Sequence, residues 1–437
     1  MLNLLIYARA VHYAATIMAA GVAFFAVCVA EPAFRQSSGD FLVTTLRRQF
    51  AWTGWISLAL CVLSGVSWFV LTATSMSGQA LAQIYTNDVL RTVLTQTDFG
   101  NDWLARLVLV CALAGTFVPL FSANGAASPW LKAVAVVLAA ALVGSLAFAG
   151  HAIGAEGAEG IVHPIADVLH LVAAAAWVGA LVPLALLLAA TGRDAAPLVV
   201  AQTATLRFST LGVVSVATLL LSGIVNTWYL AGSLDALTET DYGRLLLIKI
   251  ALFFAMVGVA VVNRLRLTPR LAVDTDAAAE QSARRALYRN AMIEAALGAA
   301  VIAIVAVLGT LPPGSHADHH AAEGSIPPDA AFQHIHGEDG MADVTIEPGR
   351  IGTANASIHL LNDDLDTLVA RQLTLTLTAP APGSKPVTRA AVVDADGTWH
   401  IKGITLTTAG NWTVAVDALL PSNKHLKLAA PIEIDPK

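Results

Sequence analysis

The sequence predicts a polytopic α-helical membrane protein with eight spans, built as two four-helix parallel repeats, followed by a small all-β sandwich domain. The chain is unusually apolar, with 56% hydrophobic and only 13% charged residues and a mean hydropathy of +0.67. Several windows of about 18–25 residues are nearly free of charge and long enough to cross about 30 Å of hydrocarbon. After residue 341 the pattern changes to short alternating segments separated by turn residues, which indicates strands.

Eight apolar segments are predicted to span the membrane. They lie near residues 5–30, 51–73, 103–121, 131–150, 165–190, 208–231, 244–265 and 290–311. The first lacks a basic leading region and ends at Glu31-Pro32 without a small-residue cleavage pattern, so we expect a retained span and not a signal peptide. The membrane domain is therefore expected to cover residues 1–311.

Charge in the loops predicts the orientation of the spans. Arginines are concentrated in the loops after spans one, five and seven, whereas the loop at residues 151–164 holds neither Lys nor Arg. Cytoplasmic loops carry the excess of Lys and Arg. Both termini and the β domain are therefore expected outside the cytoplasm.

The eight spans are predicted to form an internal repeat with halves 1–150 and 151–311. At an offset of 158 the halves align without a gap for about sixty residues, and after a shorter loop the offset becomes 143. The matched pairs include His12 with His170, Gly21 with Gly179, Ser64-Gly65 with Ser222-Gly223, Asp98-Phe99-Gly100 with Asp241-Tyr242-Gly243, and Arg106 with Lys249. Because four spans are an even number, both halves keep one orientation around a pseudo-two-fold axis along the membrane normal.

Histidines near the outer ends of the spans are the candidate metal ligands. His12 and His170 occupy matched positions, and the axis would let them face each other or line one cavity. His163, Asp167 and His170 follow the spacing i, i+4, i+7, which places them on one helical face, and His151 is expected at the same membrane level. Imidazole suits copper, zinc and haem iron, and a carboxylate beside it can orient it or bind the metal. The alternative is that these histidines only bond neighbouring helices.

Residues 312–341 are predicted to be a polar, histidine-rich linker that collects metal. Its histidines are His316, His319, His320, His334 and His336. In an extended backbone, His334 and His336 point to the same side, and nitrogen and oxygen ligands of this kind suit Cu(II). The alternative is a linker that merely contains histidine.

Residues 342–437 are predicted to form the β-sandwich from seven strands. The candidate strands are ADVTIEP, ANASIHLL, QLTLTLTA, VTRAAVVD, TWHIKGITL, NWTVAVDAL and LKLAAPIEI. Turn residues such as Pro348-Gly349 and Asp396-Gly397 separate them. His359, His400 and His425 are scattered among these strands and are not expected to be ligands.

The segment His163-Pro164-x-x-Asp167-x-x-His170, followed by Trp177-Val178-Gly179, resembles the signature of the CopD family of copper resistance membrane proteins. Residues from Phe208 to Asn263-Arg264 resemble the second part of the same domain, and the tail is similar to the YtkA or CopC-like domains fused to it. The resemblance implies a bacterial cytoplasmic membrane protein with periplasmic termini that moves copper from the periplasm into the cytoplasm. The chain departs from the family's methionine-rich copper chemistry, because it has only six methionines and no MxxM pattern.

Three functions stay open at this point. The first is copper transport, with the copper ion and the lipid bilayer as partners and a periplasmic copper chaperone as a candidate partner. The second is a membrane haem protein in which His12 and His170 ligate haem b. The third is a copper-binding assembly protein that transports nothing. No enzymatic activity is expected, because the sequence holds no nucleophile–base or Walker motif, and its net charge of −6 indicates no nucleic-acid role.

Overall fold

The computed structural model describes most of the chain, in two compact units, Met1–Ala317 and Asp318–Lys437. The described residues are 2–36, 40–77, 81, 84, 88–122, 127–149, 159–191, 198–231, 236–271, 277–311, 327, 329–337, 340–362, 367–380, 386–394, 397–421 and 423–436. The predicted ligands His151, His316, His319 and His320 lie outside these residues.

The first unit is helical. Its helices are α1 Leu2–Phe25, α2 Glu31–Phe34, α3 Asp40–Ser77, α4 Val89–Gln96, α5 Asp98–Leu120, α6 Pro129–Gly144, α7 Glu159–Trp177, α8 Leu181–Ala190, α9 Leu198–Ala231, α10 Ala236–Glu239, α11 Asp241–Val262 and α12 Ala277–Leu308. A π-helical turn at Ala26–Ala30 joins α1 to α2, and another at Asn263–Leu267 follows α11.

Among the described residues, eight helical segments are long and apolar enough to cross a membrane, as the sequence predicts. They are Asn3–Phe34, Phe41–Ser77, Phe99–Leu120, Pro129–Phe148, Val162–Ala190, Leu198–Trp228, Asp241–Leu271 and Ala277–Leu308. Large apolar side chains stay exposed on these helices, among them Leu63 at 65%, Val108 at 67% and Leu221 at 67%. Apolar surface of this extent is stable against lipid and costly against water.

Span one packs on span five through two glycines at matched positions. A Cβ atom at Gly21 would collide with the backbone of Gly179, and a Cβ at Gly179 would collide with the carbonyl oxygen of Ile17. Only glycine lets the two backbones come this close. Residues related by a two-fold axis can contact each other only where they lie close to that axis. The contact between Gly21 and Gly179 therefore supports the repeat, which stays a prediction.

The third span of each half begins in the same way. The hydroxyl of Thr97 accepts a hydrogen bond from the Gly100 amide at 3.1 Å, and the hydroxyl of Thr240 accepts one from the Gly243 amide at 2.9 Å. These N-caps satisfy backbone donors that a helix end leaves free. The matched threonine caps explain why Asp-aromatic-Gly recurs at the offset of 143.

The second unit is an all-β domain of two antiparallel sheets. Its strands are β1 Ala331–Gly337, β2 Gly340–Glu347, β3 Gly352–Leu361, β4 Gln372–Thr378, β5 Val387–Ala390, β6 Val392–Val393, β7 Trp399–Leu406, β8 Gly410–Leu419 and β9 His425–Ile434. One sheet has the order β1-β2-β3-β7-β6 and the other β5-β4-β8-β9. Alternate residues of both sheets build one apolar core that includes Ile358, Trp399 and Trp412, as in a β-sandwich.

The strands differ from the prediction in two places. Strand β1 lies at 331–337, inside the segment 312–341 that the sequence analysis assigned wholly to a linker. Its central Ile335 is only 2% exposed, so a single apolar side chain between two histidines enters the core. The predicted strand VTRAAVVD is divided, because β5 pairs with β4 in one sheet and β6 pairs with β7 in the other.

Candidate functional site

His12 lies in span one and bonds to span two. Its Nδ1 is 3.0 Å from the carbonyl oxygen of Cys61 and 3.2 Å from the hydroxyl of Ser64. The ring stands edge-on to Trp68, with centroids 5.4 Å apart, and a Cβ at Gly65 would lie 3.2 Å from its Cε1. His12 is 4% exposed. This packing fixes the orientation of the imidazole.

His170 makes the corresponding contacts in the second half. Its Nδ1 is 3.0 Å from the hydroxyl of Ser222 in span six, and its Cε1 lies 3.6 Å from where a Cβ at Gly223 would be. The matched pairs Ser64-Gly65 and Ser222-Gly223 therefore have the same structural role. Serine bonds the imidazole, and glycine leaves room for the ring.

The hydrogen bonds identify the ring nitrogen that is free to bind a metal. The hydroxyl of Ser64 donates to the carbonyl of Leu60 at 2.6 Å, and that of Ser222 donates to the carbonyl of Thr218 at 2.6 Å. Each serine hydroxyl donates its only proton to a backbone carbonyl. In the hydrogen bond between serine and histidine, Nδ1–H of the histidine must therefore be the donor. The lone pair is then on Nε2. For His12 this Nε2 is buried without a hydrogen-bond partner in the described residues.

His12 and His170 are engaged within their own halves. Their hydrogen bonds lead to Ser64 and Ser222, on the second span of the respective half, and not across the contact between spans one and five. The described contacts thus indicate two matched sites. They give no support to the expectation that the two rings face each other, and none to bis-histidine haem ligation, in which both rings must bind one iron.

The second-half site includes a carboxylate and a second histidine. His163 Nε2 is 3.5 Å from Asp167 Oδ2, as the i, i+4 spacing predicts, and Asp167 Oδ1 accepts a hydrogen bond from Asn226 at 2.5 Å. Lys249 in span seven is close enough to Asp167 and His170 to interact with both electrostatically. Two imidazoles and a carboxylate thus lie along one helix face near an ammonium group, without converging on one point among the described residues.

The first-half site is cationic instead. At the offset of 158, Arg9 stands where the second half has Asp167, and Trp68 stands where it has Asn226. The guanidinium groups of Arg9 and Arg106 each lie 5.4 Å from the Trp68 ring centroid. Arg106 pairs with Asp102, and Arg9 donates to the carbonyl of Gly309 at 2.6 Å.

The five predicted membrane ligands are thus brought together only in part. His163, Asp167 and His170 share one helix face with Asp167 in contact with His163, His12 lies in its own site, and His151 is outside the described residues. Among the described residues, no three His, Cys, Asp or Glu side chains form a group that could hold a metal ion. The structure adds Ser64 to the first-half site and Ser222, Asn226 and Lys249 to the second-half site. The serines and the basic residue recur in the repeat, and Asn226 is a polar residue within an apolar span.

In the β domain, His334 and His336 lie two positions apart on β1. His334 pairs with Asp343 on β2, its register partner, and Asp343 is in turn in register with His359 on β3. His400 is 3.2 Å from Asp394, and His425 is 2.7 Å from Asp417. These are separate histidine–aspartate pairs on the described strands.

Comparison with known proteins places the chain in a family. Residues 1–161 match the family "Copper resistance protein D-like, N-terminal domain", and residues 202–308 match the family "Copper resistance protein D". Copper resistance protein D of Pseudomonas syringae pv. tomato is 33% identical over 304 residues, which cover 69% of this chain and 94% of that protein.

Two further relatives are more distant. Inner membrane protein YebZ of Escherichia coli (strain K12) is 29% identical over 256 residues, 56% of this chain and 82% of that protein. Copper transport protein CutJ of Bacillus subtilis (strain 168) is 25% identical over 415 residues, 94% of this chain and 71% of that protein. The chain is a multi-pass membrane protein that belongs to the copper resistance protein D family.

Proposed function

We propose that this protein handles copper by moving it across the cytoplasmic membrane, from the outer side to the inner side. Relatives in its family carry the names copper resistance protein D and copper transport protein CutJ. The loop charges favour an orientation with both termini and the β domain outside, where copper would arrive. The single observation that carries the proposal is the pair of oriented histidines, in each of which Nδ1–H is bonded to a serine and the lone pair is on Nε2.

Copper binding is expected chiefly in the second half. His170 and His163 provide imidazole nitrogens, and Asp167 provides a carboxylate oxygen that is bonded to Asn226 and so held in place. A carboxylate beside an imidazole ligand raises its basicity and fixes its orientation. The Asp167 carboxylate offsets the charge of Lys249 and offers an oxygen ligand to a copper ion, whereas Arg9 and Arg106 leave the first-half site cationic and oppose one.

His151 and the tail have supporting roles in the proposal. His151 is expected at the same membrane level and completes a site of three imidazoles and one carboxylate. His316, His319, His320, His334 and His336 gather copper outside the membrane and raise its local concentration. Weak ligation at several places lets an ion leave as well as enter.

The test is the metal content of the purified full-length protein from membranes grown with copper. Copper and iron per chain are measured in the wild type and in the His12→Ala/His170→Ala double variant. We expect copper near one ion per chain or above in the wild type, a clear loss in the double variant, and no iron in either. His425→Ala is the control, because it removes an exposed histidine of the β domain and should keep the copper of the wild type.

Other results would contradict the proposal in distinct ways. Near-stoichiometric iron that disappears in the double variant would show a haem protein. Copper that is unchanged in the double variant would place binding in the tail and leave the membrane histidines a packing role. Copper that binds as expected but does not accumulate in liposomes containing the wild type would favour an assembly protein.

A further inference from the structure

A second polar site lies deep in the second half, away from the histidines. Glu294 on α12 is 2% exposed, and its Oε1 accepts a hydrogen bond from Asn263 at 2.7 Å. Asn263 Oδ1 in turn accepts one from Asn290 at 2.7 Å. Asn263 is 14 residues beyond Lys249, or about 21 Å along the helix, so this site is at the other end of the bundle from His170.

The free oxygen of Glu294 adjoins a cavity. Oε2 is buried and has no hydrogen-bond partner within the described part of the chain. Glu294 lines a cavity of about 300 Å³ together with Trp177, Phe208, Ala260 and Arg264, among others. An unpartnered carboxylate oxygen at such a depth calls for a ligand of positive charge.

No basic side chain neutralises Glu294 in the described structure. Arg264 is the other charged residue lining the cavity, and its guanidinium donates to the hydroxyl and the carbonyl of Ser209 at 2.7 and 3.2 Å. The first half offers a contrast. There Glu31, 8% exposed, is held by Arg47 and Lys132, each at 2.9 Å. A buried carboxylate needs such partners to stay charged at low cost.

The cavity lies where two side chains differ between the matched halves. At the offset of 143, Ala260 corresponds to Phe117, and Asn263 corresponds to Leu120. Phe117 is fully buried and fills the first half so tightly that a Cβ at Gly54 would lie 2.5 Å from its ring. At the matched Gly212, a Cβ would lie 3.9 Å from its nearest neighbour, Trp177. The second half thus has room beside Glu294 where the ring of Phe117 fills the matched place in the first.

We propose that Glu294 binds and releases a proton through this cavity and so couples proton movement to copper movement. The step is the conversion of a carboxylate and a proton into a carboxylic acid, and its reversal. The ligand is a proton and not copper, because the residues lining the cavity offer amide, hydroxyl, indole, guanidinium and apolar groups and no imidazole or thiolate, which copper prefers. The coupling rests on the proposed copper transport, whereas the proton binding does not.

The carboxyl group itself can be observed by infrared difference spectroscopy of the full chain in lipid as pH is changed. We expect a C=O stretching band of a protonated carboxyl group that responds to pH in the wild type and vanishes in Glu294→Gln. The control is Glu280→Gln on the same helix, since Glu280 pairs with Arg284 at 3.5 Å and should leave the band unchanged. A band that persists in Glu294→Gln would overturn proton binding at Glu294, whether or not copper is transported.

The coupling is tested in liposomes that contain the full chain and a trapped pH-sensitive dye. Copper is added outside as Cu(II), with and without ascorbate. We expect internal pH to change with copper entry in the wild type and in Glu280→Gln. In Glu294→Gln we expect the pH change to be lost, while the copper bound per chain stays at the level of the wild type. An undiminished pH change in Glu294→Gln would overturn the coupling. Absence of copper entry in the wild type would contradict the proposed transport, and with it the coupling, but leave the infrared result intact.

Discussion

The two halves of the membrane domain share a histidine site and differ in the charges around it. In both, an imidazole donates Nδ1–H to a serine on the next span and packs against the following glycine. Around this common arrangement the first half places Arg9 and Arg106, and the second half places Asp167 and Lys249. The shared hydrogen bond and packing explain why histidine recurs in both halves. The different charged residues around it indicate which half binds a cation.

The same contrast continues at the other end of the bundle. The first half closes around Phe117 and neutralises Glu31 with two basic residues, whereas the second half leaves a cavity beside Glu294. A repeated fold can thus keep one half as a scaffold and develop the other for ion movement. The predictions that follow test this division, beginning with the surface where the halves meet.

Gly21→Ala should have the largest effect on stability. The new Cβ would collide with the backbone of Gly179, and backbone cannot move as a side chain can. We expect a loss of roughly 1–3 kcal/mol in the free energy of unfolding, measured by reversible unfolding in mixed micelles. The matched controls are Gly115→Ala and Gly258→Ala, where a Cβ would meet nothing within 4 Å among the described residues. Equal stability of all three variants would contradict the close contact.

Asp167→Asn should weaken copper binding by roughly 10–100-fold, the usual cost of removing a carboxylate beside a metal-binding imidazole. Affinity is measured by competition with a copper chelator. Asp241→Asn is the control, because Asp241 lies in the same half but its side chain is 85% exposed beside Arg244. A copper affinity of Asp167→Asn equal to that of the wild type would contradict preferential copper binding in the second half.

The serines should differ in importance between the halves. Nδ1–H of His12 keeps the Cys61 carbonyl at 3.0 Å as an acceptor when Ser64 is lost, whereas Ser222 is the acceptor that the structure shows for His170. We therefore expect Ser222→Ala to lower copper affinity by about tenfold and Ser64→Ala to leave it nearly unchanged. The same chelator competition applies. A larger loss in Ser64→Ala would reverse the assignment of the copper site.

Gly54→Ala and Gly212→Ala test the difference in packing at the inner end. In Gly54→Ala the added methyl meets the ring of Phe117, and we expect a loss of about 1 kcal/mol. In Gly212→Ala the methyl has room next to the cavity, so stability should stay the same or rise by a few tenths of a kcal/mol. Thermal unfolding in detergent compares the two. Equal losses would indicate that the second half is packed as tightly as the first.

Much of this architecture could be predicted from the sequence, because it depends on patterns along the chain. Hydropathy located the eight spans, and alternation located the strands that follow residue 341. The spacing of His163 and Asp167 predicted their contact, which the structure shows. Strand β1 could not be predicted in the same way, since a single core residue, Ile335, lies between polar neighbours.

The features that depend on packing between distant spans could not be predicted. Nothing in the sequence shows that Nδ1 of His12 is satisfied by Cys61 and Ser64, which leaves Nε2 for a ligand. The cavity beside Glu294 lies where the second half has Ala260 and the first half has Phe117. Both are apolar residues of the kind expected in a membrane span, so the sequence does not mark this position. Glu294 itself lies near the start of the apolar segment predicted at 290–311, and the sequence does not show that its side chain is buried.

The central claim is that matched histidines form unequal sites, with copper held in the second half. The most direct measurement is copper K-edge X-ray absorption on the copper-loaded wild type, His12→Ala and His170→Ala, which counts imidazole ligands and copper per chain. The account predicts that His170→Ala loses the membrane-bound copper or one imidazole from its coordination, whereas His12→Ala keeps the spectrum of the wild type. Equal losses in both variants would contradict it and show that the two halves share one copper ion.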